Sequence, residues 1–420
     1  MSHHARSAAD HPKELPVDRA TDRARGPRRP VLANRLHGLG TTIFAEMSAL
    51  ATATGSINLG QGFPDTDGPR PVAEAAARAI LEGRGNQYPP GPGIPELRRA
   101  VAEHQADWYG LGYDPDTEVL VTAGATEAIA AALLALVDPG DEVIAFEPYY
   151  DSYAACIAMA GGVRVPATLR PPTEIQPRWH PDLDALAASI TGRTRVLLLN
   201  SPHNPTGMVL DEGELRRLAG LAVAHDLVVI TDEVYEHLVF EGSHIPIATL
   251  PGMRDRTVTI SSAGKTFSFT GWKIGWVAAA PELLAAVRTA KQFLTYVSGG
   301  PFQYAVAEAL RLPRDYYAEL RESLRERRDL LAAGLADLGF GVSATEGTYF
   351  ITTDIRPLGE QDGLAFCRAL PERCGVVAIP NAVFYDDKQA GAPFVRFTFC
   401  KKREVLEAAL DRLAALTKPR

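Results

Sequence analysis

The sequence lacks the long apolar run that a membrane-crossing helix needs. About 18–20 consecutive apolar residues are required, and "AIAAALLALV" (Ala128–Val137) is about the longest stretch present. No membrane partner is expected. Cysteine is scarce: Cys156, Cys367, Cys374 and Cys400 show neither CxxC nor metal-ligand spacing. That usage speaks against a disulfide framework and a metal site, and it fits a reducing cytoplasm. An excess of positive charge is missing too. The formal net charge is −8 and the pI near 5.7, which argues against nucleic acid or an anionic membrane as the main partner. The first thirty residues hold no apolar segment of secretory type. Residues 1–30 are expected to be a disordered tail in which His3 and His4 are incidental. Internal repeats and low-complexity runs are absent as well.

What is present is a chain of 420 residues, 46% hydrophobic and 22% charged, long enough for two domains. From about Asp67 helical and strand signals alternate. "GPRPVAEAAARAILEG" predicts a helix opened by Pro71 and stopped near Gly83. "IPELRRAVAEHQADWYG" repeats the design between Pro95 and Gly110. Short apolar runs follow: "EVLVT" (Glu118–Thr122), "DEVIAFE" (Asp141–Glu147), "RVLLLN" (Arg195–Asn200), "DLVVITD" (Asp226–Asp232) and "TVTISS" (Thr257–Ser262). They do not alternate with polar residues, as strands covered on both faces should not. Helical stretches between several of them, such as "DEGELRRLAGLAVAH", predict crossover units and a mostly parallel sheet. After about Leu310 a long charged helix, two strands ("GTYFITTD" and "FVRFTF") and a last amphipathic helix read as a smaller α+β domain. The expected division is a segment 31–66 packing with the small domain, a large domain 67–310 and a small domain 311–420.

In a doubly wound sheet, ligands collect beyond the carboxyl ends of the strands. "EVLVT" runs into "AGATEAIAAAL", where Gly124 allows a tight turn and a helix starts at about Thr126. Its free N–H groups suit a phosphate, although a small-residue turn with a threonine cap is also ordinary βα chemistry. "RVLLLN" leads into "SPHNPTG", whose residues are turn formers. "LVVITDEVY" ends with Asp232 and Glu233, then Tyr235, and a carboxylate there either caps the next helix or faces a cation. "TVTISS" delivers Ser262 and, three residues later, Lys265. This lysine sits in "SSAGKTFSFTGWKIGW", which contains no acid to pair with it, and lysine is rarely buried unpaired. A phosphate cradle, a buried acid, hydrogen-bonding Asn and Tyr side chains and a lysine are together what pyridoxal 5′-phosphate requires. The lysine forms a Schiff base with its aldehyde, and the acid keeps the pyridine nitrogen protonated.

With these motifs in this order, the sequence from about Ala33 to Leu416 resembles the class I/II aminotransferases, the aspartate-aminotransferase-like, fold type I pyridoxal-phosphate enzymes. The resemblance implies an α/β fold with a large domain, its mostly parallel sheet flanked by helices, plus a smaller α+β domain. It makes Lys265 the Schiff-base lysine, Asp232 the acid at the pyridine nitrogen, and Asn204 and Tyr235 the pair at the 3′-oxygen. Tyr150 in "EPYYDSY" becomes the aromatic stacked on the ring. The turn at Gly124, the amides of Ala125 and Thr126, Ser262 and Lys273 become the phosphate cup; many relatives carry arginine where Lys273 stands, so the bidentate fork is lost here. Tyr88 in "NQYPPGPG" matches a tyrosine that reaches the neighbouring subunit's phosphate, which implies a homodimer with shared sites. Arg396 in "FVRFTFCK" matches the clamp on the substrate α-carboxylate, and Gly62 and Phe63 in "GQGFPDTDGP" the segment that closes over substrate.

Within the family, "SSAGKTFSFTGWKIGW", "NQYPPGPG" and "SPHNPTG" resemble the kynurenine/methionine branch. "FAEMSALAT", "ITDEVYEHLVF", "KQFLTYVSGGPFQ" and "FVRFTFCK" are similar to the bacterial N-succinyldiaminopimelate aminotransferases of lysine biosynthesis. The implied activity is amino transfer to 2-oxoglutarate from N-succinyl-L,L-2,6-diaminopimelate. Its alternatives are a kynurenine-, methionine- or glutamine-type donor, or β-lysis of cysteine S-conjugates. A more distant alternative is a cofactor-sensing regulator, which would need a DNA-binding module ahead of the matched region.

Overall fold

Among the described residues, the alternation of apolar runs with helices produces one eight-stranded sheet, a separate four-stranded sheet and a two-stranded pairing. The computed structural model describes residues 31–40 and 42–417; the expected tail 1–30, with His3 and His4, lies outside them. Across the large sheet the strands run Val119–Thr122, Gly275–Ala278, Thr257–Ser262, Val228–Asp232, Thr194–Asn200, Glu142–Glu147, Val163–Arg170 and His180–Pro181. The five strands expected in this sheet all appear, within two residues of the predicted ends. All residues of Val119–Thr122, Glu142–Glu147, Val228–Asp232 and Thr257–Ser262 are buried, because helices cover both faces. Only Gly275–Ala278 and the short His180–Pro181 run against the rest. Neither they nor Val163–Arg170 stand among the strands predicted above. Gly275–Ala278 is hidden inside the lysine-bearing motif, and Val163–Arg170 is largely uncovered near the sheet edge.

The helices begin and end where local chemistry directs. Arg70–Leu81 and Pro95–Tyr109 carry proline in the first turn, and the second stops at Gly110 in the left-handed region, φ 71°. Glu212–Ala224 starts with a capping box in which Asp211 and Glu214 exchange side-chain and backbone hydrogen bonds. One start differs from expectation. The helix after Thr122 begins at Gly124 rather than about Thr126, and no threonine caps it. Glu127 reaches back instead and accepts from the Ala123 N–H at 2.5 Å.

The four-stranded sheet is antiparallel and comprises Gly341–Val342, Phe350–Asp354, Phe394–Thr398 and Ile379–Pro380 in that spatial order. The 24-residue helix Arg314–Asp337 and the helices Gly363–Cys374 and Arg403–Leu413 pack on it around a core of Leu331, Phe366, Phe397 and Leu406. Ile57–Asn58 pairs with Val376–Val377, so this short strand ahead of Arg70 is tied to the second unit. The active-site candidates lie where the two units meet.

Candidate active site

Every site residue named from the sequence except Tyr88 lines one cavity of about 410 Å³. Strand ends deliver Asp232 and Ser262, the middle of the strand Phe394–Thr398 delivers Arg396, and turns and a short helix deliver Asn204, Tyr235, Lys265 and Lys273. Tyr88 stands elsewhere, 83% exposed, its ring edge-on to Tyr296 at 5.6 Å.

The anion end is built by close backbone approach. Gly124 sits at φ 76°, a conformation that penalises side chains. A Cβ on Gly275 would fall 2.8 Å from the Ala125 nitrogen, so glycine alone lets the strand pass this close to the helix start. A Cβ added to Gly124 would stand 3.3 Å from the Lys273 ammonium. A helix N-terminus with an ammonium beside it is an anion site.

Asp232 is buried at its strand end. Its Oδ2 accepts from the Tyr153 hydroxyl at 2.6 Å and its Oδ1 from the Val234 N–H at 3.3 Å. No cation reaches it within ion-pair distance among the described residues, and burial pushes its carboxyl up to about 6. A ring N–H⁺ would relieve that cost. Sequence reasoning missed both supports of this corner. Tyr153 is 79 residues away in the chain, visible only as the second aromatic of "YDSY". Asn200 donates from Nδ2 to the Asp232 carbonyl and accepts from the Asn204 N–H, each at 2.8 Å, so one amide fixes two site residues.

Lys265 follows its strand on the short helix Ala263–Thr266. Loss of hydration in the cavity pulls its amine down to about 8, against the weaker pull of Asp232. Its Nζ lies 3.5 Å from the Gly62 carbonyl, 5.7 Å from the Tyr235 ring centre and 5.5 Å from that of Tyr349. Burial also raises the Tyr235 phenol far above its ordinary value, so it stays a donor.

Arg396 is 1% exposed. Its Nη1 donates to Asn204 Oδ1 at 2.8 Å and its Nη2 to the Gly60 carbonyl at 3.0 Å, while Nε has no hydrogen-bond partner among the described residues. The guanidinium lies 4.0 Å over the Phe350 ring, with Phe44 and Phe384 each at 5.3 Å. Burial pulls it down to about 10, so it is still charged near neutrality. A buried cation without a carboxylate partner is costly, and a bidentate carboxylate ligand would remove the cost.

Four carbonyls of the neighbouring segment are held by the second unit. Leu59 accepts from the Thr398 N–H (2.8 Å), Gly60 from Arg396, Gly62 from the Tyr349 hydroxyl (2.5 Å) and Phe63 from Lys401 Nζ (2.7 Å). Gly62 admits no side chain, since its Cβ would meet Phe350 at 2.3 Å.

His104, Glu236 and His237 form a separate buried cluster with ligand atoms within 4.8 Å of one another. The two imidazoles hydrogen-bond each other at 2.8 Å, and Glu236 is taken by Tyr109 and Ser261.

A lysine with a depressed amine, an acid awaiting a cation, an anion cup and a buried arginine fit pyridoxal 5′-phosphate and an amino-acid substrate. The sequence profile of the family described as "Aminotransferase class I and II" matches residues 54–413. The chain belongs to that family and is a pyridoxal-phosphate-dependent aminotransferase. Among individual proteins it is 55% identical, over 91% of its length and 98% of the other, to a Mycobacterium tuberculosis protein described as "Probable N-succinyldiaminopimelate aminotransferase". The solved structure of N-succinyldiaminopimelate aminotransferase from that organism superposes with a TM-score of 0.89 at 56% identity, covering 92% of this chain and 100% of that one. The methionine aminotransferase of Escherichia coli is 41% identical over 91% of this chain and 98% of its own. No helix among the described residues is long and apolar enough to cross a membrane.

Proposed function

We propose that this enzyme moves the amino group of N-succinyl-L,L-2,6-diaminopimelate to 2-oxoglutarate, as a cytoplasmic step of lysine biosynthesis. The transfer itself is carried by one observation: buried Arg396, with no carboxylate within ion-pair distance among the described residues, shares a cavity with Lys265. Donor and acceptor both present an α-carboxylate, so one clamp serves them in turn. The choice of donor is supported by the 55% identity, against 41% for the methionine enzyme.

In this reading, bound pyridoxal phosphate supplies an aldehyde and a ring that draws electrons from the substrate α-carbon. The protein does the rest. Lys273, Ser262, the turn at Gly124 and the amides of Ala125 and Thr126 hold the phosphate. Asp232, steadied by Tyr153, keeps a proton on the ring nitrogen. Asn204 and Tyr235 donate to the 3′-oxygen, and Tyr150 stacks on the ring. Lys265, with an amine near neutrality, takes and returns the α-proton, while Gly62 and Phe63 shut out water. The expected domains 31–66, 67–310 and 311–420 are kept as working units. Homodimerisation is supported by exposed Tyr88, Phe293 and Tyr296, apolar surface that invites a partner.

A neutral donor of the kynurenine or methionine type is the second reading, favoured by the aromatic walls Phe44, Phe63 and Phe350. A glutamate-coupled assay comparing the succinylated donor with kynurenine, methionine and glutamine decides. The succinylated donor should lead. If a neutral donor exceeds it about tenfold in kcat/KM, some 1.4 kcal/mol of transition-state preference, the second reading stands.

A further inference from the structure

The proposed donor carries two carboxylates beyond the one that Arg396 takes, and each needs a partner on leaving water. Among the described residues, the cations lining the central cavity are Lys265, Lys273 and Arg396, and each has a task already. Phe44 and Tyr150, however, line a second cavity too, of about 1100 Å³. The two cavities thus meet at these rings, and a donor reaching past them would enter the second.

This second cavity is a groove between the turn Asn34–Leu36, the start of the helix Ile43–Thr54 and the helix Asp151–Ala160. Most of its charges are spoken for. Arg164 pairs with Asp386, and Arg368 with Glu46 at 2.8 Å. Lys388 donates to the carbonyls of Val383 and Tyr385. Asp151 lies in the first turn of its own helix, where the positive end of the helix dipole favours its charge. Arg35 is left over: it is exposed and has no hydrogen-bond or ionic partner among the described residues.

We propose that this groove is the subsite for the succinyl end of the donor, with Arg35 as the cation that receives its terminal carboxylate. The inference rests on the donor proposed above and adds to it the residue that distinguishes that donor from neutral ones. A guanidinium suits the task, because its planar fork takes a carboxylate through two hydrogen bonds. An exposed ion pair alone is worth little, but a substrate already tethered at Arg396 brings its far end to Arg35 without a second loss of freedom. Methionine has no charge to place in the groove.

The test uses the holoenzyme with 2-oxoglutarate as acceptor, comparing wild type, Arg35→Met and Arg35→Lys on N-succinyldiaminopimelate and on methionine. Arg35→Met should raise KM for the succinylated donor about tenfold, and its loss in kcat/KM there should exceed the loss on methionine at least fivefold; Arg35→Lys should recover part. N-acetyldiaminopimelate, which lacks the terminal carboxymethyl group of the succinyl arm, gives a check on unaltered protein, with wild type preferring the succinyl compound about tenfold. Equal losses on both donors, or wild-type indifference to acetyl against succinyl, would overturn the subsite while leaving the donor intact. Failure of wild type to use N-succinyldiaminopimelate at all would overturn the donor first and the subsite with it.

Discussion

Lys265 shows how one side chain is tuned by the cost of burial. Its amine is pulled down to about 8 because the cavity removes water faster than Asp232 returns charge. The folded protein therefore binds fewer protons at Lys265 than the unfolded chain does between about pH 8 and the ordinary lysine range near 10.4. Stability from this group is reduced below pH 8 and recovered as pH rises through that window. In cofactor-free protein, acylation of Lys265 followed by peptide mass spectrometry should reach half its maximal rate near pH 8; a midpoint at 10 or above would contradict the reading. Lys265→Ala should abolish turnover, and borohydride should no longer fix cofactor at this position. Tyr153 makes a second residue-level case. Tyr153→Phe leaves Asp232 Oδ2 without its donor, a loss of about 1–3 kcal/mol for a buried polar group. Cofactor affinity measured by equilibrium dialysis should fall at least fivefold, and an unchanged constant would make Tyr153 only a packing residue. Lys265 is legible in sequence because its environment is local: sixteen residues without an acid. Tyr153 and Asn200 are not, because each earns its meaning from Asp232, 79 and 32 residues away.

At the level of elements, the segment Leu59–Phe63 is clipped to the antiparallel sheet rather than to the large one. Lys401 is the end clip: buried, it donates to the Phe63 carbonyl and lies 4.2 Å over the Phe63 ring. No carboxylate pairs with it among the described residues, so its removal loses one positioning bond without stranding an acid. Lys401→Met should raise KM for donor and acceptor several-fold, lower kcat less, and shift Tm by no more than a few degrees. Unchanged KM values for both substrates would show that the clip does not govern substrate closure. Strands are read correctly from sequence where both faces are buried and the run is uniformly apolar, as in "VVITD". Gly275–Ala278 escapes because its glycine serves the approach to Ala125 and its run follows directly on the anion site. The clips escape for a different reason. They join carbonyl oxygens, which every residue carries, to side chains some 290–340 positions later.

For the whole molecule, the question is whether the chain can finish its own site. Tyr88 lies outside the cavity at 83% exposure, and Phe293 is equally exposed. We propose that these exposed aromatic side chains belong to the face through which two copies meet. In a two-fold dimer each copy would lend Tyr88 to the other's phosphate cup. A chain bearing Lys265→Ala then keeps a good Tyr88 to lend, and a chain bearing Tyr88→Ala keeps a good Lys265 to serve. Each is inactive as a homodimer, but their heterodimer has one site with both defects and one with neither. Random mixing at equal amounts gives half heterodimers, hence about a quarter of wild-type specific activity. If Tyr88 acted within its own chain, both sites of every heterodimer would carry a defect and mixing would restore nothing. Co-refolding the two variants and assaying against protein concentration separates these cases. Recovery that vanishes on dilution would also report the dimer constant, whereas a dilute, fully active wild-type monomer would refute the shared site.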